Sequence, residues 1–365
     1  TLALPTMLMG ATLPFLVRSL TQRRSELAHR IGFLYGFNTL GAAVGTLAVG
    51  FVFIGLWGVT GSSRFAAAVY AAIAGAALLI ARREQPLLPA SEGQAAHAAR
   101  ATQESGRAAI LMGLFACSGF VAIAYEVVWF RFLTNISSSS VFAFSGMLGT
   151  YLVGLVIGAL VCARFLAPRK DRLLRAFALV QILIAVSATI TLAVLGKART
   201  VHAILSPLVS ALVPVKAQAF LGDDVSFFLT CLVALLAPTI LIGISFPLAS
   251  ELTVIRMSAL GRRIGALYAL NTIGGVLGSL AAGFLLIPYL GSQWALTALI
   301  LMNIALFVAT TVSQPELRAA KSLWRQGLMA SAVIAVSFLL LAPHYLERQL
   351  TLFDDAQVLK LRETK

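Results

Sequence analysis

Residues 4–58 and 237–291 carry the same pattern, displaced by 233 positions without a gap. Pro5 and Thr6 match Pro238 and Thr239, and Gly10 and Pro14 match Gly243 and Pro247. Arg30-Ile31-Gly32 matches Arg263-Ile264-Gly265. Leu34, Tyr35, Asn38, Thr39, Gly41, Gly45, Gly50 and Phe51 recur as Leu267, Tyr268, Asn271, Thr272, Gly274, Gly278, Gly283 and Phe284. Both copies are apolar and long enough to span a bilayer. A block repeated inside an apolar chain restricts the architecture to two related halves.

Hydrophobic residues make up 59% of the chain and charged residues 12%, against roughly a quarter charged in a soluble domain. Apolar runs near the length of a membrane span occur at 1–20, 31–57, 62–81, 108–132, 140–167, 173–195, 225–253, 264–290, 294–313 and 323–342. Their continuity predicts helices, since a barrel would show short alternating segments. The net charge of +14 does not point to nucleic acid. Arginines and lysines cluster in loops 21–30, 82–107, 164–172, 254–263 and 314–325, whereas 58–61, 133–139 and 291–293 carry no charge. This is the positive-inside pattern and predicts that the basic loops are cytoplasmic. The localisation expected is an integral membrane protein of the bacterial inner (plasma) membrane, with the lipid bilayer as its first partner. The tail after the tenth span is then expected outside the cytoplasm.

The expected organisation has ten membrane-spanning helices. Residues 1–82 form the last three helices of a first repeat and 83–107 a cytoplasmic linker. Residues 108–313 form a complete second repeat of six helices, 314–342 an extra transmembrane helix and 343–365 a polar tail. Six spans separate the copies, so both cross in the same direction. The repeat is therefore parallel and major facilitator-like rather than inverted. Equal halves would put about three more spans before Thr1, and the absence of an initiator methionine and of a signal peptide accords with that. The segment 196–224, with Pro207 and Pro214, reads as an interfacial helix.

The glycines at 41, 45, 50, 154, 158, 274, 278 and 283 suit close helix packing, and a solute path along such a face is the other use. Asn38 and Asn271 lie early in equivalent spans, each three residues after a tyrosine, Tyr35 or Tyr268, and so on the same helix face. A buried amide needs a partner. Either the asparagines lock helices together or they line a solute site between the halves. Pro5, Pro14, Pro238 and Pro247 kink equivalent spans as fixed bends or as hinges. Glu126 and Arg131 bracket YEVVWFR at the end of a span, where ionisable groups are costly and commonly functional. Arg131 can snorkel to the interface. Glu126 is deeper and needs a partner, for which Asn135 and Ser137–Ser140 are nearest in sequence. Glu251 is expected to face Arg256 or Arg263. Cys117, Cys162 and Cys231 lie in spans without ligand spacing and read as small buried apolar residues.

There is no phosphate-binding loop, no metal-ligand spacing and no nucleophile elbow. No catalytic, cofactor-binding or metal-binding residue and no cofactor is expected in this chain.

The stretches LPTMLMGATLPFLVR, GFLYGFNTLGAAVGTLAVGF and GALYALNTIGGVLGSLAAGFLLIP, with YEVVWFR, resemble the membrane region of fused major facilitator-like/spermidine synthase proteins. The resemblance covers most of residues 1–313. It implies a membrane module that anchors a C-terminal domain of the polyamine aminopropyltransferase kind, and FDDAQVLKLRET resembles the strand that enters such a domain. Any aminopropyltransferase activity would lie in that domain, whose catalytic residues have no counterpart here. Two other classes remain: a small-solute transporter, and an accessory subunit that packs with protein partners in a larger membrane complex.

Overall fold

The computed structural model describes residues 3–21, 27–82, 98–134, 140–169, 172–212, 215–254 and 260–340. The regular structure among them is helical: α1 (Ala3–Leu20), α2 (Leu27–Ala48), α3 (Ile54–Ala81), α4 (Ala98–Leu133), α5 (Ser140–Val161), α6 (Leu173–Leu195), α7 (Ala198–Leu212), α8 (Val215–Thr253), α9 (Leu260–Ala281), α10 (Ile287–Ser313), α11 (Pro315–Arg318) and α12 (Lys321–Leu340). Six stretches are long and apolar enough to cross a membrane: His29–Ile80, Gly106–Leu133, Ala143–Leu166, Leu173–Leu195, Val225–Thr253 and Leu260–Ser313. Met7–Leu20 is a shorter apolar helix. The expected span at 323–342 is not among the six. Lys321, Ser322, Arg325 and Gln326 occupy the first turns of α12 and shorten its apolar part.

Two of the six stretches are composite. In His29–Ile80, α2 passes through a π-helical turn, Val49–Phe53, into α3. In Leu260–Ser313, α9 passes through Ala282–Leu286 into α10. Each π turn is closed by a bond from the residue five places on, Ile54 N–H to the Val49 carbonyl and Ile287 N–H to the Ala282 carbonyl. Each composite then breaks at a glycine, Gly58 (φ 66°, ψ −178°) and Gly291 (φ 75°, ψ 167°). An L side chain is strained there, which is why glycine stands at both. The two breaks are again 233 positions apart, and they fall where the sequence divides 31–57 from 62–81 and 264–290 from 294–313.

The core is centred on α4, α5, α6, α8, α9 and α10, with Trp129, Tyr125 and Phe177 among its largest fully buried side chains. The main pairings are α5 with α8, α4 with α9, α2 with α5, and α10 with α6 and α4. α1 packs on α9 while α8 packs on α2, so each copy of the repeated block touches the other reciprocally.

Lipid supplies little drive for helices to associate, so close backbone approach does the holding. A Cβ added at Gly154 would collide with the Thr239 side chain, and one at Gly158 with the Ile240 carbonyl and with Gly243. Likewise a Cβ at Gly274 or Gly278 would strike the Ala116 or Phe120 carbonyl of α4.

α8 runs unbroken through Pro238 and Pro247. Proline has no N–H for the carbonyl four residues earlier. For Pro238 that carbonyl is Ala234, and the Thr191 hydroxyl of α6 donates to it at 2.7 Å. A second helix thus supplies the bond that the proline removes.

Several sequence expectations meet the structure unevenly. Of the linker 83–107, the part from Ala98 onward forms the first turns of α4. Residues 83–97 lie outside the described residues, as do 22–26, 135–139, 255–259 and the tail 343–365. Cys162 and Cys231 are buried, but Cys117 is exposed on α4. Glu251 is buried within electrostatic reach of Cys162, and Arg256 lies outside the described residues.

Candidate functional site

The tyrosines singled out in the sequence converge. Tyr35 on α2 and Tyr268 on α9 are electrostatic neighbours, and the Phe246 ring of α8 sits by both. Its centroid is 4.7 Å from that of Tyr35 and 5.9 Å from that of Tyr268. Phe115 of α4 adds a further ring at 6.1 Å from Phe246. The Tyr35 side chain is hydrogen-bonded to Thr39, one turn further along α2. Tyr151 of α5, itself 5% exposed, lies within electrostatic reach of both Tyr35 and Glu126.

Tyr35, Tyr268, Phe246 and Phe115 therefore cluster where the two copies of the block meet, and Tyr151 of α5 lies between Tyr35 and the Glu126 carboxylate further along α4. Periodicity explains the local part. Tyr35 and Thr39 are four apart on one face of α2. Glu126 is placed by α4, whose neighbouring residues Tyr125 and Trp129 point into the core and stack at 5.1 Å with their planes 10° apart. Tyr125 is held in turn by Asn303 of α10, whose Nδ2 donates to its hydroxyl at 3.0 Å. Nearer the start of α4, Ser118 and Gln181 join it to α6 at 3.4–3.5 Å.

The other expected members stand apart. Arg131 is exposed near the end of α4. Asn38 is exposed, contrary to an interior placement, and a Cβ added at Gly41 or Gly45, further along α2, would meet nothing within 4 Å. Asn271 is half-buried and seated on α4, where a Cβ at Gly119 would collide with it. Of the proposed partners for Glu126, residues 135–139 lie outside the described residues.

Sequence reading missed Tyr151, Phe246, Phe115 and the Asn303–Tyr125 pair. Tyr151 follows Gly149 and precedes Gly154 on a glycine-bearing helix, a signal that was available. Phe246 had none, since its counterpart in the first copy is Leu13.

Chemically, a carboxylate near a phenol, with an aromatic cluster beyond it, suits a cation. The carboxylate supplies charge and the rings supply negative quadrupole faces. Among the described residues, no group of three or more His, Cys, Asp or Glu could hold a metal ion. A shallow cavity of about 440 Å³ lies elsewhere, lined by Leu20, His29, Arg30, Phe33 and Leu34. No family model, no curated protein and no solved structure matches the chain.

Proposed function

We propose that the chain is the integral-membrane module of a spermidine synthase-like protein, built from two parallel halves, and that it handles a small organic cation at Glu126. The observation that supports the solute reading is the chain of neighbours from Glu126 through Tyr151 to Tyr35 and Tyr268, which leads to where the copies meet. Binding sites of two-half membrane proteins lie at such interfaces. The anchoring role rests on the sequence resemblance alone. On this reading the basic loops face the bacterial cytoplasm. An impermeant reagent should label a Val59→Cys variant, in the uncharged loop 58–61, on intact cells, and labelling only after lysis would overturn that orientation.

The decisive measurement is saturable binding of radiolabelled spermidine to the protein in lipid nanodiscs. Glu126→Gln should weaken binding on the order of tenfold, about 1.4 kcal/mol, and Tyr151→Phe should weaken it less. Equal binding by wild type and Glu126→Gln would remove the basis of the solute reading.

A further inference from the structure

α6 and α12 start side by side. Arg175, in the first turn of α6, donates from one guanidinium nitrogen to the Ser322 hydroxyl at 3.0 Å and to the Gln326 side-chain oxygen at 3.3 Å. Beyond that point Leu174, Ala178 and Ile182 of α6 share a buried cluster with Leu323 and Ala330 of α12. The two helices therefore leave the joint together and in the same direction. Exposed Arg172 lies one turn before Arg175, and exposed Arg325 adjoins Gln326.

Positive charge is in excess at this joint. A guanidinium has five N–H donors, and both bonds found for Arg175 go to neutral oxygens. The nearby carboxylate of α11, Glu316, is taken by Arg107 at 3.0 and 2.9 Å. Asp171 lies outside the described residues. The groove leading away from the charge is apolar. Leu179 and Leu183 follow Arg175 on one face of α6, and Met329 and Val333 follow Gln326 on one face of α12. Leu183, Met329 and Val333 are exposed. Leu173–Leu195 is long and apolar enough to cross a membrane, so Leu183 lies at hydrocarbon depth and Arg175 at its boundary.

A basic mouth that opens onto an apolar strip inside the membrane matches an anionic amphiphile. We infer that the groove between α6 and α12 binds an anionic phospholipid, with its phosphate at Arg175 and Arg325 and an acyl chain along Leu183, Met329 and Val333. An acidic peptide would satisfy the arginines and leave the strip unused. A zwitterionic lipid would fill the strip and bring no net charge to the arginines. This inference does not depend on the solute reading.

The probe is phosphatidylglycerol, titrated into the detergent-solubilised chain and counted by native mass spectrometry against phosphatidylcholine with the same acyl chains. The wild-type chain should retain phosphatidylglycerol about tenfold more tightly. Arg175→Gln combined with Arg325→Gln should erase that preference. Arg262→Gln combined with Arg263→Gln, at the start of α9, should leave it intact. Glycerophosphoglycerol, the headgroup without chains, should not displace the lipid at matching concentration, and this arm needs no variant to fold. Equal retention of the two lipids by the wild-type chain would overturn the proposal. So would equal losses in the two double variants, which would mean attraction to basic loops in general. Displacement by the free headgroup would replace the lipid site with a site for soluble phosphodiesters.

Discussion

His29–Ile80 and Leu260–Ser313 share their pattern, their π turn and their glycine break, yet 11% of the apolar window is buried in the first and 50% in the second. The difference does not lie in the helices. It lies in what stands beside them: α9 has α4 along its glycine face, while the same face of α2 has no described neighbour. The reverse holds one turn later. Gly50 is pressed on Ser145 of α5, whereas its counterpart Gly283 is open. The lesson is that a small-residue motif states a capacity for contact, and the fold decides which copy uses it.

The largest expected effect separates the glycines. Gly278→Leu should destabilise the chain by about 3 kcal/mol or prevent folding, because the Phe120 backbone cannot yield as a side chain would. Gly45→Leu should stay within about 0.5 kcal/mol. Equal losses in detergent unfolding would erase the contrast between the copies. An intermediate effect is expected from Thr191→Val, which leaves the Ala234 carbonyl beside Pro238 unpaired and should cost about 1–2 kcal/mol. Thr230→Val should cost less, since that hydroxyl only doubles a bond to the Ser226 carbonyl of its own helix. The smallest effect concerns the asparagines. Asn271→Ala should cost about 0.5–1 kcal/mol through lost packing on Gly119. Asn38→Ala should cost nothing measurable in the isolated chain, and a loss as large as that of Asn271→Ala would show that α2 is covered as well.

Much of the helical plan was legible. The constant offset between the copies predicted two related stretches, and the same π turns and the same positive-φ glycines recur in them. Long apolar runs marked the six candidate spans. Composition over a window said less about α12, where Lys321 and Arg325 interrupt the start. Of the site, Tyr35, Tyr268 and Glu126 were legible, because a helical face and an intramembrane charge are local properties. Phe246 and Tyr151 were not, because no spacing encodes which helix will cross which. Asn38 was misplaced for the same reason: identical neighbours in sequence do not guarantee identical neighbours in space.

The crossing of α5 over α8 has one more implication. Glycines at 154, 158 and 243 bring the two backbones together, and the Thr239 hydroxyl at that point is returned to its own helix, at 2.8 Å from the Leu235 carbonyl and 3.0 Å from that of Leu236. The hydroxyl is satisfied before α5 arrives and asks nothing of it. The joint is thus a bearing rather than a bolt. Sliding one rod past the other at Thr239 breaks dispersion contacts, each worth about 0.1–0.2 kcal/mol, and no directional bond from that side chain. Friction there is set by shape alone.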